Sequence, residues 1–230
     1  MLTEQDRKRI AEAIVAVESK SSGEIFCVLA HSVSRYREVP LAWATLAAFL
    51  LPPVAVLTGL HRLALADIFS SWTDESVRAV EGLILTALSA YALAQAGLFL
   101  IVALIVSLPH VRRATTPRFL KRHRVRQMAR QHFAASGAKL GHANPHILIY
   151  ASLADRQVEL VAHDAIHKLV GEGPWNAAVA AVTEAMANHK PADGFVRAIE
   201  ICGAALVAHF PGDASDHNQF TDEILEVRFL

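Results

Sequence analysis

The sequence predicts a small α/β domain with a mixed sheet, interrupted after its first strand by a two-helix transmembrane hairpin. Three observations carry this. Residues 41–60 (LAWATLAAFLLPPVAVLTGL) and 82–108 form two long runs without a single charged side chain. The segments before and after them alternate between helix-period and strand-period patterns, the signature of layered α and β structure. The 22 basic and 22 acidic residues cancel in sum, but they are distributed unevenly around the apolar runs.

Composition excludes several classes. With 53% hydrophobic and only 19% charged residues, the chain is too apolar for a disordered protein. Two cysteines, Cys27 and Cys202, cannot build a disulfide framework. A formal net charge of +0 gives no overall field to attract nucleic acid.

The first element is a helix over residues 3–20, where Ile10, Ala13, Ile14 and Val17 recur at helical spacing. Thr3 is placed to cap it, with Asp6 at the reciprocal position of a capping box. Ser21-Ser22-Gly23 stops the helix, and GEIFCVLAHSV reads as a strand. Ile25, Cys27 and Leu29 lie on one of its faces and Phe26, Val28 and Ala30 on the other, which implies cover on both sides.

The two uncharged runs follow. About twenty apolar residues at roughly 1.5 Å each span a ~30 Å hydrocarbon layer. Pro52 and Pro53 should kink the first span. Neither run is a signal peptide, because forty residues precede the first and no cleavage pattern follows it. Eight basic and no acidic residues lie between His110 and His132, and Arg35 and Arg37 precede the first span. The connecting loop, 61–80, sets Arg62 and Arg78 against Asp67, Asp74 and Glu75. That bias places both termini in the cytoplasm. Within the loop, 63–72 is apolar enough to lie in the far interface, with Trp72 at the headgroup level.

Arg112, Arg113, Arg118, Lys121, Arg122, Arg124 and Arg126 of the basic stretch are the expected contacts for anionic lipid heads, and Arg130 follows them. Nucleic acid is not expected as a partner, since the stretch has one aromatic residue, Phe119, and no readout motif. Residues 118–136 should be a helix ending near Gly137. HILIYASL (146–153) reads as a central strand, Ala154-Asp155-Arg156 as a turn, and QVELVAH (157–163) as an alternating strand, so the two strands form a hairpin. In the second strand Val158, Leu160 and Ala162 should face inward and Gln157, Glu159 and Val161 outward. Helices are expected over 175–188 and 194–209, punctuated by Gly173-Pro174 and Pro191-Ala192-Asp193. The organisation expected is thus 1–38 and 110–230 as two parts of one domain, with the hairpin, 39–109, between them.

Several of these residues resemble the TPM domain family. They are Gly23-Glu24-Ile25 opening an apolar strand; LIYASLADRQVELVAHDAI (148–166), with Asp155-Arg156, Val158-Glu159 and Asp164-x-Ile166; then Trp175, Phe210-Pro211 and Asp216-His217-Asn218. The resemblance covers about residues 1–33 and 118–224. The family's usual glycine after its aspartate is Ala165 here, and its closing pattern is only partly matched by Asn218-Gln219-Phe220-Thr221-Asp222. The resemblance implies a Rossmann-like fold and the family's bacterial membrane-bound branch, here a multi-pass protein of the inner membrane. It further implies a binding or maintenance role for membrane protein complexes, a weak metal-assisted phosphatase activity being the alternative, with Ca²⁺ or Mg²⁺ as the cofactor.

Residues able to carry such chemistry are few. In an open sheet the crevice lies beyond the carboxyl ends of parallel strands, here near His31 and Ser152. Asp155 and Asp164 have the hard oxygen ligands that Mg²⁺ or Ca²⁺ requires, and Arg156 is placed to receive a phosphate. The plainer roles are a turn for Asp155, a helix cap for Asp164 and a solvated turn for Arg156. A hairpin would set the two aspartates at opposite ends of the sheet. His163-Asp164-x-x-His167 has the spacing of a zinc site, but Asp stands for the usual Glu and His163 falls at a strand end. His142 or His146 would have to supply a third ligand. Asp213, Asp216, Asp222, Glu223 and Glu226 make an acidic tail, either solvated or docked on the basic stretch.

Overall fold

The computed structural model describes residues 2–58, 77–140, 145–212 and 223–227. The segment 63–72, His142, the acidic residues 213–222 and the Asp216-His217-Asn218 pattern lie outside them. The chain divides into two compact units, one made of Met1–Arg35 and Pro117–Leu230, the other of Tyr36–Thr116.

In the first unit, α1 (Glu4–Glu18) starts at the expected capping box. The Asp6 amide donates to Thr3 Oγ1 at 3.1 Å and the Thr3 amide to Asp6 Oδ2 at 3.0 Å. These bonds to Thr3 hold the Asp6 carboxyl below its ordinary pKa. Strand β1 (Glu24–Ala30) follows. After the second unit come helix α5 (Arg118–Leu140), strands β2 (His146–Ser152) and β3 (Gln157–Ala162), and helices α6 (Asp164–Val170), α7 (Gly173–Ala187) and α8 (Pro191–His209). A last short strand, β4 (Leu225–Val227), completes a four-stranded sheet in the order β3-β2-β1-β4. β1 runs parallel to β2 and to β4, while β2 and β3 are antiparallel.

One face of the sheet carries Ile25, Cys27, Leu29, Ile147, Ile149 and Ala151, packed with residues of α1, α6, α7 and α8. Phe195 and Ile199 of α8 are fully buried there, each stabilising the fold by about 1.5–3 kcal/mol. The other face presents Val28, Ala30, Leu148 and Tyr150 to Val125 and Ala129 of α5. The cover on both faces of β1 expected from its sequence is therefore present. β3 departs from its expected alternation, since all six of its residues are half-buried. Its supposedly outward face meets α5, where Arg126 Nε pairs with Glu159 Oε1 at 3.1 Å and Val161 joins the second core.

Gly137 does not end α5, which continues to Leu140. A Cβ there would lie 3.2 Å from His146 Cε1, so the glycine serves a close approach of helix to strand rather than a stop. The His146 ring stacks on Phe133 at 4.2 Å.

In the second unit, α2 (Glu38–Leu57) and α3 (Val77–Ser107) form an α-hairpin, followed by the short α4 (Pro109–Thr115). Among the described residues, two helices are long and apolar enough to cross a membrane. Their qualifying stretches are Glu38–Ala55, with mean hydropathy 1.4, and Leu88–Ser107, with mean hydropathy 2.1. Ala44 and Ala48 are buried in the unit, whereas Phe49, Leu93, Leu100 and Leu104 are exposed. Trp43 Nε1 donates to the Thr115 carbonyl at 3.2 Å and ties α2 to the end of α4.

The proline pair has a specific consequence. Pro52 has no N–H, so the carbonyl four residues earlier, that of Ala48, loses its helical donor. Gln95 Nε2 of α3 donates to that oxygen at 3.0 Å. Gln95→Leu should therefore destabilise the hairpin by about 1 kcal/mol. With Pro52→Ala in the background the backbone donor returns, and Gln95→Leu should cost close to nothing. Unfolding by a denaturing detergent, run as a double-mutant cycle, reads the difference. Equal costs in both backgrounds would break the link between the two residues.

Candidate functional site at the carboxyl edge of the sheet

The carboxyl ends of β1 and β2 are joined by a run of hydrogen bonds. The Leu153 and Ala154 amides donate to the Ala30 and His31 carbonyls at 3.0 and 2.9 Å, and the His31 amide donates to the Val227 carbonyl at 3.0 Å. The turn between β2 and β3 thus continues the parallel ladder past the end of the strands.

Asp155 lies at the centre of this edge, and only 6% of it is exposed. Its Oδ2 accepts from Ser152 Oγ at 2.7 Å and from the Val33 amide at 3.2 Å. One carboxylate oxygen therefore fastens the β2–β3 turn to the segment leaving β1. Ser152 is fully buried, which withholds its hydroxyl from any substrate. Beneath them Tyr150 is fully buried too, and among the described residues its hydroxyl has no hydrogen-bond partner. Burial first, and the neighbouring Asp155 charge second, push the Tyr150 phenol up to about 12. The His132 ring of α5 lies 5.5 Å from the Tyr150 ring, and burial lowers the pKa of its imidazole.

Arg156, next in the turn, adopts a left-handed backbone at φ 50°, a position that favours glycine or asparagine and costs other residues energy. Its side chain is exposed, and among the described residues no carboxylate pairs with it.

Asp164 is elsewhere. It is the first residue of α6 and is exposed. It follows β3, whose far end pairs with the start of β2, the His163 amide donating to the His146 carbonyl at 3.0 Å. A six-residue strand separates it from Asp155, roughly 20 Å. One ion cannot be held by both, because metal–oxygen distances are about 2–2.6 Å. The helix cap is His163 rather than Asp164: His163 Nδ1 accepts from the Ala165 amide at 3.3 Å. His163 therefore lies outside the helix that carries His167, and the pair does not have the geometry of helical zinc ligands four apart. Among the described residues, no three His, Cys, Asp or Glu side chains converge as metal ligands would.

Cys27 and Cys202 are free and buried. Burial raises the Cys27 thiol well above its ordinary pKa, helped by Cys202 and Glu18, and raises Cys202 to about 12. Both are packing groups rather than nucleophiles.

Of the basic residues, Arg118, Arg122, Arg126 and Arg130 are exposed along α5, whereas Lys121 and Arg124 are half-buried. Arg112 and Arg113 belong to α4.

No family model and no curated protein matches this chain. The fold does have a counterpart among solved structures. The NMR structure of BA42 protein from the psychrophilic bacterium Bizionia argentinensis sp. nov. is similar to it with a TM-score of 0.53 and 16% identity. The likeness spans 99% of this chain and 96% of that one. At that identity it bears on fold alone.

Proposed function

We propose that this is a multi-pass inner-membrane protein whose TPM-like domain, with both termini in the cytoplasm, acts as a binding or maintenance module for membrane protein complexes. The observation that carries the membrane part is the inverted packing of α3. Its Leu88–Ser107 stretch has mean hydropathy 2.1, yet only 6% of that stretch is buried within the protein. A soluble core helix of such composition would be covered, so the missing cover is hydrocarbon. The charge bias around the spans supports the orientation. The quoted sequence blocks support the TPM-like reading.

A binding role fits the carboxyl edge better than catalysis does. Asp155 is engaged in holding two chain segments together, and Asp164 lies about 20 Å away. A phosphatase of the metal-assisted kind needs carboxylates converging on one ion in an accessible site.

The test is hydrolysis of a generic phosphomonoester by the full chain in detergent, with and without Mg²⁺, Ca²⁺ or Zn²⁺, beside Asp164→Ala and Asp155→Asn. Turnover is expected to be the same for all three proteins and insensitive to metal. Metal-dependent turnover lost in either variant would replace the binding module with an enzyme.

A further inference from the structure

The exposed face of α5 carries an arginine ladder. Arg118, Arg122, Arg126 and Arg130 follow one another at four-residue intervals, and all four are exposed. On an α-helix such residues lie about 6 Å apart along one face, and like charges at this spacing destabilise the helix. The placement is unfavourable in a second way. The first turn of α5 holds no acidic residue, and Arg118 opens the helix at the positive end of its dipole. Arg126 is offset by Glu159. Among the described residues, Arg118, Arg122 and Arg130 have no carboxylate partner. Beside the ladder Phe119 is 74% exposed, an apolar ring in a basic surface.

An external anion of extended shape would relieve both costs, and a hydrocarbon boundary would take the ring. We infer that the Arg118–Arg122–Arg126–Arg130 face of α5 docks on anionic lipid headgroups, with Phe119 entering the bilayer interface. The inference rests on the membrane reading of the hairpin and deepens it. Charge complementarity selects the occupant: a bilayer offers many phosphates to one helix face and an apolar layer beneath them. A nucleic acid offers phosphates as well, but one phenylalanine gives few bases a stacking platform.

The full chain is reconstituted into vesicles of phosphatidylcholine alone or mixed with phosphatidylglycerol, with an environment-sensitive fluorophore at Gln127→Cys. Gln127 is exposed between Arg126 and Arg130, and the two native thiols are buried. The label should shift to the blue and be quenched by brominated lipid only in vesicles containing phosphatidylglycerol. High salt should reverse the shift. Arg118→Gln, Arg122→Gln and Arg130→Gln together should reduce the docked-to-free ratio about a hundredfold, about fivefold for each charge.

A signal equal in neutral and anionic vesicles, or retained by the triple variant, would overturn the docking. So would the same response in neutral vesicles on adding pyrophosphate or an oligonucleotide, which would make the occupant a soluble anion. Flotation separates this from the underlying reading. If the hairpin spans the bilayer, wild type and triple variant both float with neutral vesicles after an alkaline wash. If neither floats, the membrane reading itself has failed.

Discussion

Asp155→Ala should destabilise the α/β domain by about 2–5 kcal/mol, because it leaves two buried donors, the Val33 amide and the Ser152 hydroxyl, without their acceptor. Asp155→Asn keeps one oxygen at the same place and should cost nearer 1 kcal/mol. The ordering distinguishes a hydrogen-bonding role from a metal-binding one. A ligand aspartate would make both variants lose cation-dependent stabilisation, whereas a fastening aspartate leaves stability indifferent to Ca²⁺ or Mg²⁺. The loss should also be local: amide exchange should accelerate first over 31–35 and 152–157, the two segments that Asp155 joins. Chemical unfolding of the two variants, with and without cation, measures all of this. Asp155→Ala within about 0.5 kcal/mol of wild type would show that the edge is held by other means.

Gly194→Val should be comparably damaging, at about 3 kcal/mol. Gly194 lies where α8 crosses α7, and even a single Cβ there would be 2.6 Å from Ala185 Cβ, 2.9 Å from Val182 Cα and 3.2 Å from the Ala181 carbonyl oxygen. Two of those atoms are backbone, so relief requires the helices to move apart and the core around Phe195 and Ala198 to loosen. Gly194→Ala gains about 1 kcal/mol in helix propensity against this clash and should fall between wild type and Val. Gly97 is the control. Among the described residues, and apart from the backbone of its own helix, no atom lies within 4 Å of a Cβ built there, so Gly97→Ala should be neutral or mildly stabilising. Thermal unfolding of the three variants ranks them, and Gly194→Val as stable as wild type would refute the crossing argument.

Much of the architecture was legible because periodicity reports burial directly. The capping box at Thr3 and Asp6, the double-sided strand β1, the β2–β3 hairpin and the two apolar helices all follow from residue types at fixed spacing. Other features escaped for identifiable reasons. β4 is three residues long, and Leu225-Glu226-Val227 carries too little pattern to stand out from a tail. Gly137 resembled a helix stop because sequence cannot tell a glycine needed for conformation from one needed for closeness. The outward face of β3 looked solvated because α5, which covers it with Arg126, is basic rather than apolar. α8 starts three residues before its expected first residue because Pro191 suits the first turn of a helix.

β1 and β2 end at Ala30 and Ser152, as their patterns indicated, but the hydrogen bonds that join their ends were not legible. Ser152-x-x-Asp155 is a short spacing that turns commonly use, and only the fold brings Val33 to the same oxygen. Gln95 could have been noticed as a polar amide within an uncharged run facing a proline-bearing helix. What linked it to Ala48 was the missing N–H of Pro52, an absence that residue patterns do not display.

The insertion of the hairpin between β1 and α5 also sets an order of events during synthesis. β1 leaves the ribosome before its partners: β2 follows only after the entire hairpin and α5, and β4 later still. At roughly 5–20 residues per second, the apolar strand EIFCVLA waits on the order of ten seconds without the neighbours that will cover it. If the hairpin spans the membrane as proposed, it is available to the insertion machinery during that interval, and the nascent chain would be anchored before its sheet closes. Such anchoring would keep unfinished copies apart and confine an aggregation-prone edge to one place, turning a slow, non-local assembly into one that begins with its position fixed.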